Sequence, residues 1–166
     1  MSTTAGSVAA IVVDLDGTII RTDSLVESIL VLLRTKPWLV ALLPFWLAAG
    51  KARFKRAVSD HAELDPAALP YDEGVIDYVR RRKADGCRVV LATAADDRIA
   101  QGVADHLALF DGVLASDGSR NLSGDDKLDA IRERLNDEPF EYVADAAVDL
   151  PIWEQASRAV AANASE

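Results

Sequence analysis

The stretch Val12-Val13-Asp14-Leu15-Asp16-Gly17-Thr18 constrains the fold of this chain more than any other. An apolar, β-branched run from Val8 to Val13 ends abruptly in two carboxylates one residue apart, followed by Gly and Thr. Such a run reads as a buried parallel strand, because those strands are apolar on both faces. The period of two predicts Asp14 and Asp16 on one side, and Gly17 lets the chain turn sharply at the strand's carboxyl end. In open α/β sheets ligands sit at that end. Two like charges so close repel unless a cation or a shared proton intervenes. The plain alternative for this segment alone is a polar strand end with an Asp-Gly turn.

At 166 residues the chain can form one sizeable core with a small insert, but not two full domains. Its net charge of −9, with no dominant basic patch, argues against nucleic acid as a partner. Cys87 is the single cysteine, so an intramolecular disulfide is excluded and a reducing compartment fits. Met1 to Ser7 lacks the basic start and apolar stretch of a signal peptide, which makes a cytoplasmic location the default.

Asp23-Ser24 is a cap signal for a helix carrying Leu25, Ile29, Leu32 and Leu33 at helical spacing. Turn signals recur from Asp65-Pro66 to Leu69-Pro70. Beyond them, a helix over Glu73 to Ala84, with Val75, Ile76 and Val79 inward, is stopped by Gly86. Strands are predicted at Arg88 to Thr93, Val113 to Ala115, Phe140 to Ala144 and Ala159 to Ala162. Helices are predicted after Asp96-Asp97, after Asp125 or Asp126, and from Asp149 to Ala156. Strands alternating with helices imply a parallel sheet with helices on both faces, a doubly wound α/β fold.

One segment stands apart. Pro37 to Ala49 carries no charge, has Trp38 and Trp46 near its ends, and is flanked by Arg34 and Lys36 before and Lys51, Arg53, Lys55 and Arg56 after. It is shorter than the roughly 20 residues of a membrane span, and Pro44 interrupts it. Burial in a small helical subdomain, or against another copy of the chain, is the favoured reading. The competing reading is a surface that dips into a membrane interface, with tryptophans and basic flanks at the headgroups.

Four strand ends offer chemistry: Asp14 and Asp16, then Thr93, then Lys127 just inside a helix, and Asp145 with Asp149. Each has an ordinary reading alone: a strand-end hydroxyl bonding the backbone, a solvated lysine, a pair of helix caps. At successive carboxyl ends of one sheet they converge on a single crevice, and that convergence favours function.

Asp14-Leu-Asp-Gly-Thr18, Thr93 in Leu-Ala-Thr-Ala, Lys127, and Ala-Asp145-Ala-Ala-Val-Asp149 resemble the four motifs of the haloacid dehalogenase superfamily over nearly the whole chain. The resemblance implies a Rossmann-like core over 1–20 and 71–166 and a small apolar helical cap over 21–70. It also implies a Mg²⁺-dependent phosphatase working through an aspartyl-phosphate. In that scheme Asp14 is the nucleophile and Asp16 the proton shuttle. Thr93, Ala94 and Lys127 hold the phosphoryl group, and Asp14, Asp16 (through its carbonyl), Asp145 and Asp149 form the metal site. Asp23 and Ser24 lie where the loop after the first motif reaches substrate. Asp16 argues against a dehalogenase, since that branch needs neither the second aspartate nor the metal. The usual Gly-Asp-Ser of the fourth motif is Ala144-Asp145-Ala146 here.

A closer resemblance lies in Arg-Thr-Asp-Ser-Leu-Val-Glu-Ser, Leu-Pro-Phe-Trp-Leu, Ala115-Ser-Asp-Gly118, Asn121-Leu122 and Asp149-Leu-Pro-Ile-Trp153. These look like the phosphatase-like domain fused ahead of UbiA-type polyprenyl transferases. They imply a lipid-linked or sugar phosphate substrate handled at the membrane surface, and an excised domain or a stand-alone relative. The alternative is a catalytically weak module whose residues 37–50 serve oligomerisation or membrane docking. A phospho-receiver module fits less well, because there the acceptor carboxylate lies on a later strand than the acidic pair. His61 and His106 read as surface or packing residues, Cys87 as inert, and Trp153 as core.

Overall fold

The structure is a computed structural model and describes residues 9–162. The start of the first apolar run at Val8, and Met1 to Ser7, lie outside the described residues. Five strands, β1 (Ala10–Val13), β2 (Arg88–Asp96), β3 (Gly112–Ser116), β4 (Phe140–Ala144) and β5 (Arg158–Ala161), form one parallel sheet in the order β3-β2-β1-β4-β5. The fold class is therefore the doubly wound α/β arrangement that the alternating pattern implies. β1 is central, and each of its four residues is buried.

Alternation along the strands sorts the core into two faces. Ile11, Val13, Val89 and Leu91 face one layer, with Val79 of α4 (Glu73–Ala84) and Val103 of α5 (Asp97–Leu107) in the same cluster. Ala10, Val12, Val90, Ala92 and Tyr142 face the other, against Leu128, Ile131 and Leu135 of α6 (Asp125–Leu135) and Ile152 of α7 (Leu150–Gln155). Asp72 caps α4 and Asp96 caps α5, each accepting a backbone N–H in the first turn. α6 starts instead at Gly124, with Asp125 and Asp126 inside its first turn, so neither aspartate is the cap expected.

Between β1 and α4 lie α1 (Ser24–Thr35), a 3-10 turn over Pro37–Leu42, α2 (Leu43–Ala48), α3 (Lys51–His61) and a short 3-10 turn at Pro66–Ala68. Asp23 caps α1 by accepting from the N–H groups of Leu25 and Val26. A small apolar cluster of buried Leu32, Val58 and Ala62, with Leu25, Ile29, Leu39, Leu43, Trp46 and Phe54 packed around them, holds this region together.

Burial of the uncharged segment within its own subdomain is not what the chain does. Neither the 3-10 turn nor α2 contains a buried residue; Trp38 is 68% exposed and Phe45 74%. Leu39, Leu43 and Trp46 turn inward and pack against Leu32, Val58 and Ala62, while Trp38 and Phe45 stay outside. Pro44 starts α2 rather than breaking a longer helix. Among the described residues no helix is long and apolar enough to cross a membrane.

Candidate active site

β1 ends at Val13, and the chain turns at once. Asp14 still donates its N–H to the Val143 carbonyl at 2.9 Å, but Thr18 and Ile20 donate back to the Leu15 carbonyl at 3.2 and 3.0 Å. The two aspartates therefore do not share the face of an extended strand, as the period of two predicted. Their carboxylates take different partners: Asp14 Oδ1 accepts from Lys127 Nζ at 3.0 Å, and Asp16 Oδ1 accepts from the Ser24 N–H at 2.8 Å. Gly17 makes the turn at φ +73°, and a Cβ there would stand 2.1 Å from Asp145 Oδ2. Both the left-handed backbone and the nearness of the fourth-motif carboxylate demand glycine.

Lys127 is the pivot. Its residue is 2% exposed, and Nζ lies 3.0 Å from Asp14 Oδ1, 3.1 Å from Asp149 Oδ1 and 3.0 Å from the Tyr142 hydroxyl. Those three partners match the three donors of an ammonium. The two carboxylates hold its pKa up against burial, which pulls it down. Burial, with the Asp14 and Asp149 carboxylates nearby, drives the Tyr142 pKa upward. Asp149, 1% exposed, is committed to Lys127 through both of its oxygens.

Thr93 is fully buried, at a point where β2 shifts register against β3 between Ala92 and Asp96. Its hydroxyl accepts from the Ala95 N–H at 3.0 Å, so it makes the strand-end backbone bond that was its ordinary reading, while also lining the crevice. Asp23 lines the crevice too, although its carboxylate caps α1. Ser24 is 1% exposed and tied to Asp16.

A crevice of about 380 Å³ joins these groups at the carboxyl end of the sheet. Asp14, Asp16, Asp23, Asp145 and Asp149 line it, opposed by Arg21, Lys55 and Lys127. Lys55 escaped the sequence reading. It sits on α3 among other basic residues, and nothing in their spacing marks the one whose Nζ reaches the Ala94 carbonyl at 2.6 Å and Asn121 Oδ1 at 2.9 Å. Burial lowers its pKa, while Asp16 and Asp23 pull the other way. Tyr142 also went unmarked, although a tyrosine on an inward strand position two residues before Ala144 was the available signal.

The donor set fits a hard divalent cation. Burial raises the Asp14 carboxyl to about 7 despite Lys127, and the Asp149 and Asp16 charges push the same way. Positive charge is what would return it to the ionised form. No three His, Cys, Asp or Glu side chains cluster as a metal cage among the described residues. Lys127 holds Asp149 and one oxygen of Asp14, and the Ser24 N–H holds one oxygen of Asp16; the other Asp14 oxygen remains, with the exposed Asp145, whose Oδ1 accepts from the Thr18 hydroxyl at 3.4 Å. One or two carboxylates, completed by carbonyl, water and substrate oxygens, are what Mg²⁺ takes.

The model of the haloacid dehalogenase-like hydrolase family matches residues 11–154. The uncharacterized protein y4nM of Sinorhizobium fredii is 40% identical over 151 residues, which are 90% of this chain and 29% of that protein. The chain thus spans under a third of the length of that relative. Among solved structures, a protein of unknown function from Bordetella pertussis Tohama I superposes with a TM-score of 0.73 at 18% identity, covering 94% of this chain and 90% of that one. A phospho-aspartyl intermediate analogue of phosphoserine phosphatase superposes at 0.58 and 13% identity, covering 92% and 85%. At those identities the likeness is one of fold.

Proposed function

This chain belongs to the haloacid dehalogenase-like hydrolase family, and we propose that within it the protein is a Mg²⁺-dependent phosphatase acting through an aspartyl-phosphate. The observation that carries the reading is the Asp14 carboxylate, at the end of the central strand, held by a lysine that Asp149 and Tyr142 hold in turn. A nucleophile aimed by a buried, triply bonded cation is what in-line attack on phosphorus needs.

In this scheme an Asp14 oxygen attacks phosphorus, the new O–P bond forming as the bond to the leaving oxygen breaks. Asp16 gives that oxygen its proton; burial raises the Asp16 pKa, which favours an acid. Asp16 then takes a proton from water as the water attacks phosphorus, and inorganic phosphate leaves with Asp14 regenerated. Lys127 and Thr93 neutralise and orient the phosphoryl oxygens. Asp14, Asp145 and the Asp16 carbonyl would hold Mg²⁺, which supplies charge neutralisation at the phosphoryl group, and Asp149 keeps Lys127 in place.

Residues 21–70 serve as the cap and, among the described residues, 9–20 with 71–162 as the core. The resemblance to the domain fused ahead of UbiA-type polyprenyl transferases supports a lipid-linked or sugar phosphate as substrate. The exposed Trp38 and Phe45 favour one second reading, a weakly active module that works mainly by docking. Hydrolysis of p-nitrophenyl phosphate with Mg²⁺ decides between them. The phosphatase reading expects turnover that Asp14→Asn abolishes; turnover indifferent to that change would end it.

A further inference from the structure

We propose that the outer face of α1, the Pro37–Leu42 turn and α2 is a docking surface for an anionic lipid bilayer. The apolar side chains on it are large and outward. Trp38, Leu42, Phe45 and Leu47 are 68%, 40%, 74% and 54% exposed. Val26, Leu30 and Leu33 of α1 are exposed as well, at intervals of four and three residues that place them on one side of the helix. Leu30 and Leu33, with Val31, Glu27 and Arg34, line a groove of about 400 Å³, in which Arg34 stands opposite Glu27 in charge. Exposed large apolar side chains in this number mark an interaction surface.

Charge identifies the partner. Residues 34–59 contain no Asp or Glu but six Lys or Arg, in a chain of net charge −9. Three of the six turn inward: Lys36 to the His61 carbonyl, Lys55 to Ala94 and Arg56 to Asp96 and Asp97. Arg34, Lys51 and Arg53 remain exposed and form no ion pair among the described residues. Exposed tryptophan and phenylalanine flanked along the chain by exposed, unpaired basic residues suit a headgroup layer carrying negative charge. A second copy of the chain suits it poorly, because a two-fold contact places the same patch against itself and opposes like charges.

The face also starts at the crevice. Asp23 lines the crevice and caps α1, and Val26 lies three residues further on, less than one helical turn away. A bilayer seated on the face would therefore lie close to the mouth of the site.

Flotation of the full chain with vesicles tests this, using phosphatidylcholine alone and phosphatidylcholine mixed with phosphatidylserine. Flotation with the mixed vesicles is expected, weakened by added salt through screening. It should fall at least tenfold in Trp38→Ala/Phe45→Ala, and as far in Arg34→Glu/Lys51→Glu/Arg53→Glu. No flotation with mixed vesicles overturns the proposal, as does flotation that both variants leave intact. So does a concentration-dependent dimer, seen by sedimentation equilibrium, that Trp38→Ala/Phe45→Ala dissolves. Circular dichroism, not turnover, certifies that the variants fold, so the outcome is independent of the phosphatase reading.

Discussion

Lys55 of α3 donates a 2.6 Å hydrogen bond to the carbonyl of Ala94, the residue after Thr93 on β2. The helical region inserted after β1 is thereby fastened to the strand end that contributes the buried threonine. Arg56, the next residue, reinforces the contact by pairing with Asp96 at 3.0 Å and Asp97 at 2.8 Å.

Removing the Lys55 ammonium should therefore loosen the site from the insert side. For Lys55→Met we expect kcat/KM on p-nitrophenyl phosphate to fall roughly 10- to 100-fold, the kinetic equivalent of about 1.5–3 kcal/mol for a hydrogen bond made by a charged group. Lys55→Arg, which keeps the charge, should recover part of the loss. A methionine variant with unchanged kcat/KM would show that the fastening has no part in turnover.

Metal and pH should act on stability through Asp14. Its pKa is pushed up to about 7 in the fold, against 3.8 for an ordinary aspartate, so the metal-free native state keeps a proton that the unfolded chain releases. Between those two values the native state binds more protons than the unfolded state, and stability declines as pH rises through that window. A divalent cation, competing with the proton, relieves the decline at its upper end. Differential scanning fluorimetry with EDTA or Mg²⁺ should show a larger rise in Tm with Mg²⁺ at pH 8 than at pH 5. Equal increments at both values would contradict the assignment of Asp14 to the cation.

Gly17→Ala brings two penalties into one position. The backbone stands at φ +73°, and the new Cβ would meet Asp145 Oδ2 at 2.1 Å. The backbone conformation costs a non-glycine residue about 1–2 kcal/mol, and Asp145 must also move. Urea unfolding should register that loss of stability, and calorimetric titration should show Mg²⁺ affinity reduced at least tenfold. Unaltered affinity would mean that Asp145 does not hold the ion.

Much of the architecture was open to reading because apolar spacing is local. The four strands at Ala10, Arg88, Phe140 and Arg158 and the cap at Asp23 follow from neighbouring residues, and the structure moves their ends by only a few positions. β2 runs three residues past Thr93, because a register shift against β3 lets pairing resume at Asp96. Asp14 and Asp16 do line one crevice, but the turn after Val13 rather than strand alternation brings them there, because β1 ends one residue before Asp14.

By itself, then, the sequence determined a parallel sheet with β1 in its alternating series, and a set of carboxylates, a threonine and a lysine at the strands' carboxyl ends. Only the tertiary structure decided which donor each carboxylate takes. Lys127 claims Asp14 and Asp149, the Ser24 N–H claims Asp16, and Asp145 stands at the turn made by Gly17. It also decided that Lys55 enters the crevice and that Trp38 and Phe45 face outward. The reason is physical: spacing along a chain says which residues share a side of an element. What lies opposite that side, and how much surface it offers for burial, is set by segments distant in sequence.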